Sequence, residues 1–495
     1  MLNVLLLLVD NLGPRLGCYG VRDVLSPHID ALAASSTLFS NAHCQIAWCA
    51  PSRNSLLSGR RPQATRAYNF LDSFREGAGA AWTTLPGYFL SQGYYATASG
   101  KVFHPTLPPA NDFPHSWSDA PFAPSKAACP NGTMFCALPP GALDVDAAAT
   151  TALLSRLAAH AASGGGRPFF AALGLQAPRL PWAYPPAEAA RYPPAPAVPI
   201  SPHGNSTLLP PLEYFRPTEI DQFTNVRNVS HDVPMAPALQ HEARRAYYAA
   251  VSSVDTQVGR ALAWLEGAGL ANSTVVALSA DHGQNLGEQG LWSMMSLQDT
   301  STRVPLLLRG APPAAQAPLC GAPAELVDLF PTLAALAGLP PPPPEWGLPG
   351  ADLSPALRGA PLPAAAGAAF SQITRCWNCS AAYGGEAAQC AWDAAADGGA
   401  YAVPCALAPR SAFDAMGVSV RTSEWRYSAY CAWDGAALRV QFGNCSSEQL
   451  YDHRGGGAQQ PLFDPEGELV NLAGDPRFAA VQRALRAAVE AQFGR

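Results

Sequence analysis

The sequence predicts an α/β fold with a smaller C-terminal α+β domain containing an antiparallel sheet. Three observations lead there. Short apolar runs alternate with stretches of helical spacing through most of the 495-residue chain. Two of those runs are followed at once by an acidic residue, Asp10 and Asp281, which is where open α/β sheets collect ligands. Beyond Pro340–Pro344 the pattern changes to cysteine-rich loops and short strands.

The elements follow in order. Leu2–Val9 is an unbroken apolar run and reads as a buried parallel strand. It is too short to span a bilayer, which takes about 20 residues. It also lacks the basic start and small-residue cleavage site of a secretory signal, so any leader is expected to precede this sequence. Pro27–Ser35 carries a helix signal, and Pro168–Leu175 and Thr274–Ser279 are further buried strands. Ala236–Leu270 has helical spacing, with Tyr247, Val251, Val254, Val258 and Leu262 on one face. Gly417–Arg421 and Trp425–Trp433 read as strands of the second domain. A chain of this length exceeds one ordinary core, and the expected division is 1–358 and 359–495. No internal repeat is visible, and the Ala/Pro-rich patches read as loops.

Composition narrows the function. Charged residues make up 14% and the net charge is -6, with no basic stripe, so nucleic acid is not an expected partner. Lysine occurs only at Lys101 and Lys126; arginine supplies the remaining cations. Twelve cysteines accompany six sequons, at Asn131, Asn205, Asn228, Asn272, Asn378 and Asn444. Together they favour a glycoprotein of the secretory pathway, lysosomal or secreted, with no transmembrane segment. Cys129 and Cys136 bracket an Asn-Gly turn and suit a local disulfide. Cys376, Cys379, Cys390 and Cys405 cluster in a second region, for disulfides or a zinc site.

One stretch carries chemistry by itself: Cys49-Ala-Pro-Ser-Arg53-Asn-Ser-Leu-Leu-Ser-Gly59-Arg60. It resembles the signature of the type I sulfatases at every fixed position. Other segments agree: Asp10-Asn11, Gly100-Lys101-Val102-Phe103-His104-Pro105, Asp281-His282-Gly283, Ser253 to Arg260, Asp328 to Leu333, and Ser419 to Thr422. The Lys-Val-Phe-His-Pro stretch is most similar to the iduronate-2-sulfatase subgroup. The resemblance covers nearly the whole chain and implies an alkaline-phosphatase-like fold, with a large mixed central sheet flanked by helices.

The same resemblance implies roles. A formylglycine-generating maturation enzyme would oxidise Cys49 to formylglycine, whose hydrate is the nucleophile. Asp10, Asn11, Cys49, Asp281 and His282 match the metal site, and carboxylate oxygens suit Ca²⁺ above Mg²⁺. Arg53 would hold the hydrate as an always-charged planar donor. Lys101 would neutralise the same hydrate oxyanions, and His104 would act as base on the second hydroxyl. Lys101, Arg179 and Met294 fall at substrate-binding positions, and the implied substrate is a sulfated carbohydrate.

Three positions depart from the family pattern. Asn11 stands where a second aspartate is expected, Arg179 where a histidine is, and Met294 where a lysine is. The losses fall on sulfate binding and leaving-group protonation, and losing one preorganised charge contact typically costs about 3 kcal/mol. Two such losses would leave a slow enzyme unless Arg179 or Arg303 compensates, and Met294→Lys is expected to raise turnover on a small sulfate ester. Tyr68, Trp292 and Gln372 are candidates for contacting a sugar ring or for ordinary packing. The expected activity is sulfate ester hydrolysis. The alternatives are a weakly active or inactive sulfatase fold that binds sulfated glycans, and a phosphatase or phosphodiesterase of the same fold.

Overall fold

The computed structural model describes residues 1–494 except 126–127, 165, 194–208, 211, 214–217, 227–228, 230–234, 311–316, 377–404, 407, 455–461 and 466. Lys126, Asn205, Asn228, Asn378, Cys379 and Cys390 lie outside the described residues.

The apolar runs form the middle of an eight-stranded sheet. Its order is Leu319–Cys320, Thr37–His43, Arg303–Arg309, Thr274–Ala280, Asn3–Val9, Phe169–Leu175, Tyr95–Gly100, with Ala324–Glu325 also on Thr37–His43. Asn3–Val9 is central, parallel to both neighbours, and Val4 to Val9 are at most 1% exposed. Such burial on both faces is what an unbroken apolar run requires. Arg303–Arg309 runs antiparallel to both strands beside it, which makes the sheet mixed.

Two groups of helices cover the sheet. Val145–Ala162, Pro237–Gly267 and Pro27–Ala34 pack together; Cys49–Ser58, Leu85–Ser91 and Leu329–Leu336 form the second group. Within Pro237–Gly267 the predicted face is buried at Tyr247, Val251, Val254 and Val258, with Leu262 partly so. On that helix Asp255 accepts the His28 and Ile29 amides at 3.2 and 2.7 Å. It thereby caps the first turn of Pro27–Ala34, whose free N–H groups need acceptors.

A second, four-stranded antiparallel sheet follows, in the order Ala369–Arg375, Ala415–Arg421, Trp425–Asp434, Arg439–Asp452, with helix Ala479–Phe493 against it. A division after Arg358 is our proposal for the domain boundary. Ile46, Trp48, Cys49, Ala50, Met294 and Met295 share a hydrophobic core with Val418, Tyr427 and Leu450 of this sheet. An ionic network also crosses between the sheets. Asp299 faces Arg303 of the first sheet at 3.5 Å and Arg421 of the second at 3.4 Å. The Asp299 amide donates to Glu468 at 2.8 Å, and Glu468 also pairs with Arg426 and with His453, the latter at 3.1 Å.

Disulfides join Cys129 to Cys136, Cys376 to Cys405 and Cys431 to Cys445. The first is the expected local bridge, and the second takes two of the clustered cysteines. The sequence does not announce the third, because its 14-residue separation becomes a cross-strand pair only once the hairpin is in register. Among the described residues, no helix is long and apolar enough to cross a membrane.

Candidate active site

Parallel strands that end level bring the chemistry to one edge. Val9 lies opposite Leu175 and Ala280, and Gly100 opposite Gly174. The residues that follow, Asp10, Gln176, Asp281 and Lys101, therefore leave the sheet side by side. Gly100 has φ 77°, and a Cβ there would collide with the Gly174 carbonyl; only glycine lets the chain turn so close to its neighbour. Thr37–His43 leads by a short loop into helix Cys49–Ser58, all of whose residues are buried. Cys49 opens that helix, where unpaired N–H groups and the helix dipole favour negative charge. Gly59 closes it at φ 66°.

Arg53 lies one turn after Cys49 and is fully buried. Its Nε donates to Asp281 Oδ2 at 2.9 Å and its Nη2 to Asp10 Oδ1 at 3.2 Å. Its Nη1 donates to the carbonyls of Lys101 and Val102, the latter at 2.9 Å. One guanidinium thus ties the first strand, the Asp281 strand and the Lys101 loop together. Lys101 Nζ pairs with Asp10 Oδ2, and Arg179 Nε lies 3.8 Å from the same oxygen. Burial would raise the Asp10 carboxyl, but Lys101 and Arg53 prevail and hold it well below its usual range. Burial raises Asp281 despite Arg53, and the Asp10 charge adds to the rise. Of the two carboxyls, Asp10 ionises first.

Cys49 Sγ sits 3.2 Å from His282 Nε2, 3.8 Å from Asn11 Oδ1 and 3.9 Å from Met294 Sδ. It marks the position that an aldehyde hydrate's oxygens would take if the residue were oxidised. Burial, with the Asp10 charge, pushes the thiol up, so as a thiol it is a poor nucleophile at neutral pH. Ligand atoms of Asp10, Cys49, Asp281 and His282 all lie within 4.8 Å of one another. His282 Nδ1 sits 2.9 Å from the Gly283 carbonyl, which fixes its proton there and leaves Nε2 as a lone pair. Two carboxylates, an amide oxygen and an imidazole lone pair facing one point fit a divalent cation.

His104 is 3% exposed, and its buried Nε2 has no hydrogen-bond partner among the described residues. Burial, Lys101 and Arg179 hold its pKa well below the usual value, so the ring is neutral. The Leu107 amide donates to Nδ1 at 3.2 Å, which places the neutral ring's proton on Nε2. Accepting a proton at Nε2 requires the other tautomer, at the loss of that hydrogen bond, about 1 kcal/mol.

The structure thus gathers Asp10, Asn11, Cys49, Arg53, Lys101, Arg179, Asp281, His282 and Met294 by direct contact. It does not bring in Arg303, which is committed to Asp299 and to the carbonyls of Ser40 and Leu462. Tyr68, Trp292 and Gln372 are 1%, 4% and 2% exposed, so none offers a ring face or an amide to a sugar. Sequence reasoning missed several supports. Tyr247 donates to the Asn11 carbonyl at 2.9 Å, and Asn11 Nδ2 donates to Gln284 at 2.7 Å. Asp146, buried in the first turn of its helix, accepts the Gln176 and Ala177 amides at 2.7 and 2.9 Å. It thereby holds the loop that carries Arg179. Its only sequence signal was the Asp-x-Asp opening a helix.

Residues 2–339 match the Sulfatase family. The iduronate 2-sulfatase of Homo sapiens is 39% identical over 395 residues, which cover 69% of this chain and 70% of that protein. Among solved structures, a 2-O GAG sulfatase superposes with TM-score 0.67 at 20% identity, over 99% of this chain and 91% of that one. The phosphonate monoester hydrolase of Agrobacterium radiobacter gives TM-score 0.68 at 19% identity, over 99% and 96% of the two chains. At such identities the structural likeness speaks for the fold, which is the alkaline-phosphatase-like one expected from the sequence.

Proposed function

The chain belongs to the sulfatase family and hydrolyses sulfate esters, and we propose that its substrate is a sulfated carbohydrate of the kind iduronate 2-sulfatase acts on. The supporting observation is the Cys49 helix start, which faces Asp10, Asp281 and His282, with Arg53 one turn behind it. In this family formylglycine supplies the attacking hydroxyl through its hydrate, and a divalent cation lowers that hydroxyl's pKa. We assign the conversion of Cys49 to a formylglycine-generating enzyme and the cation to Ca²⁺ above Mg²⁺, because the donors are mainly oxygen. Asp10, Asn11, Asp281 and His282 would hold that cation.

The chain's own residues do the rest. Arg53, anchored through four acceptors, fixes the two carboxylates one helical turn behind residue 49. Lys101 and Arg179 bring two cations to the Asp10 side of the site, where the sulfate oxygens would bind. His104, whose ring lies within the field of Lys101, Arg179, Asp10 and Arg53, would exchange a proton at Nε2 with the second hydroxyl that formylglycine would supply. Its depressed pKa keeps the ring neutral and able to accept. Arg179 binds anionic oxygen but gives up no proton, so the leaving alcohol takes its proton from water. The net reaction consumes one water and yields sulfate and an alcohol.

One observation favours a second reading, binding without efficient turnover. Met294 Sδ, rather than a cation, lines the site 3.9 Å from Cys49 Sγ. Sulfate release decides between the two. The chain is produced with a formylglycine-generating enzyme, conversion of Cys49 is verified by peptide mass, and sulfated oligosaccharides are assayed with added Ca²⁺ beside Cys49→Ala. Release that vanishes in the variant supports hydrolysis of a carbohydrate ester. Full conversion without release overturns that reading. We also propose a glycosylated protein of the secretory pathway, since the described sequons Asn131, Asn272 and Asn444 are all exposed.

A further inference from the structure

We propose that the chain whose Cys49 is still a thiol holds one thiophilic metal ion, of the copper(I) class, through Cys49 Sγ, His282 Nε2 and Met294 Sδ. The proposal concerns the unconverted chain, so it stands or falls separately from the hydrolytic reading.

Three observations carry it. The first is spacing. Cys49 Sγ is 3.2 Å from His282 Nε2 and 3.9 Å from Met294 Sδ. Two donors bound to one ion at sulfur and nitrogen bond lengths stand roughly 3.5–4 Å apart; the sulfur pair already has that spacing, and the thiol–imidazole pair, at hydrogen-bond distance while the thiol keeps its proton, has to open by only a few tenths of an ångström when the ion replaces that proton. The second is the state of the donors. Asp281 Oδ1 accepts the Asn11 and His282 amides and its Oδ2 accepts Arg53; Asp10 is taken by Arg53 and Lys101. The carboxylate oxygens are thus engaged by protein donors and the Asn11 amide oxygen faces the thiol at 3.8 Å, whereas His282 Nε2 is aimed at the thiol by the contact of Nδ1 with Gly283.

The third is the Met294 loop. Ser293 and Met295, on either side of Met294, have φ 68° and 75°, a backbone state that costs about 1–3 kcal/mol per non-glycine residue. The loop is pinned against that strain. Ser293 Oγ donates to Glu219, the Met295 amide donates to the Ala47 carbonyl at 3.1 Å, and Arg375 donates to the Met295 carbonyl at 2.8 Å. Three neighbouring elements therefore hold Met294 with its thioether on Cys49. Thiolate plus thioether is the donor pair that selects copper(I) over the hard cations. On binding, the Cys49 S–H bond breaks, a sulfur–metal bond forms and the proton passes to solvent; no electron is transferred. Because Cys49 and His282 also belong to the cation site of the matured protein, a given molecule takes one ion or the other.

The test uses the full chain made without the maturation enzyme, its Cys49 thiol verified by peptide mass. Copper(I) is titrated anaerobically against a chromophoric copper(I) chelator. One equivalent should bind in the presence of excess Ca²⁺, and Met294→Leu and Cys49→Ala should each weaken it by about 10–100-fold. Cys18, Cys44 and Cys320 remain in both variants, so any binding they supply is subtracted. X-ray absorption at the copper edge of the wild-type chain counts sulfur neighbours without a variant, and two are expected. A single sulfur neighbour, equal affinity in either folded variant, or displacement by Ca²⁺ overturns the proposal.

Discussion

Exchanging Asn11→Asp and Met294→Lys singly and together tests how this site came to lack two charges. Asn11 Nδ2 and Met294 Sδ are 3.9 Å apart, and the residues are 0% and 6% exposed. A carboxylate and an ammonium in those places would stand about 4 Å apart, worth about 4 kcal/mol at an effective dielectric constant of 20. Either change alone creates a buried charge without that partner. The new carboxylate would join those of Asp10 and Asp281, and the new ammonium would join the cations of Arg53, Lys101 and Arg179. An unpaired buried charge of this kind costs about 3–5 kcal/mol. Each single variant should therefore lose about 3 kcal/mol in urea denaturation of the metal-free protein. The double variant should recover most of it, for a coupling of at least about 2 kcal/mol. In the matured proteins the double variant should release sulfate fastest, since one restored charge contact is worth about 10²-fold. Met294→Lys alone should gain less than the double variant. Additivity within about 0.5 kcal/mol would refute the reasoning, as would a Met294→Lys protein as stable as wild type.

Arg53→Lys keeps the charge but serves at most part of a four-acceptor fork, so sulfate release should fall by about 10²-fold or more; a loss under tenfold would contradict its anchoring role. Asp146→Ala should leave the half-buried Gln176 and Ala177 amides without their acceptor, cost about 1 kcal/mol each and raise KM more than it lowers kcat, because Arg179 loses its place; an unchanged KM in a folded variant would argue for a purely structural part. His43 is buried in the interdomain network, where burial, then Arg421 and Arg303 against Asp299, hold its pKa well below 6.5. The unfolded chain gains a proton there below pH 6.5 and the folded chain does not, so stability should fall as pH drops, by up to about 1.4 kcal/mol per pH unit. His43→Gln should flatten that slope by one proton in denaturation at successive pH values; equal slopes would count against the assignment.

Residues whose role follows from local chain chemistry were legible in the sequence. Asp10 and Asp281 could be placed because an apolar run must be buried and its end must face the ligand edge. Cys49 and Arg53 could be paired because one helical turn separates them. The rest depended on long-range register. That Arg53 also grips Lys101's carbonyl, or that Asp146 positions the Arg179 loop, needs strands distant in sequence to end level. Trp292 and Tyr68 misled as sugar platforms because aromatic side chains suit cores as well as sugars; both went to cores. Arg303 misled because Asp299 precedes it by one turn and claims it.

The floor beneath Cys49 and Met294 is built from the same packed side chains as the four-stranded sheet, and Asp299, Arg421, Arg426 and Glu468 bolt the two sheets together. A truncation that ended the chain before Ala369 would therefore leave no lesser enzyme behind. It would strip the cover from Ile46, Trp48 and Met295 and strand Asp299 without Arg421. The product would be a chain whose catalytic edge has lost its support, so these last strands are as much part of the active site as the residues that line it.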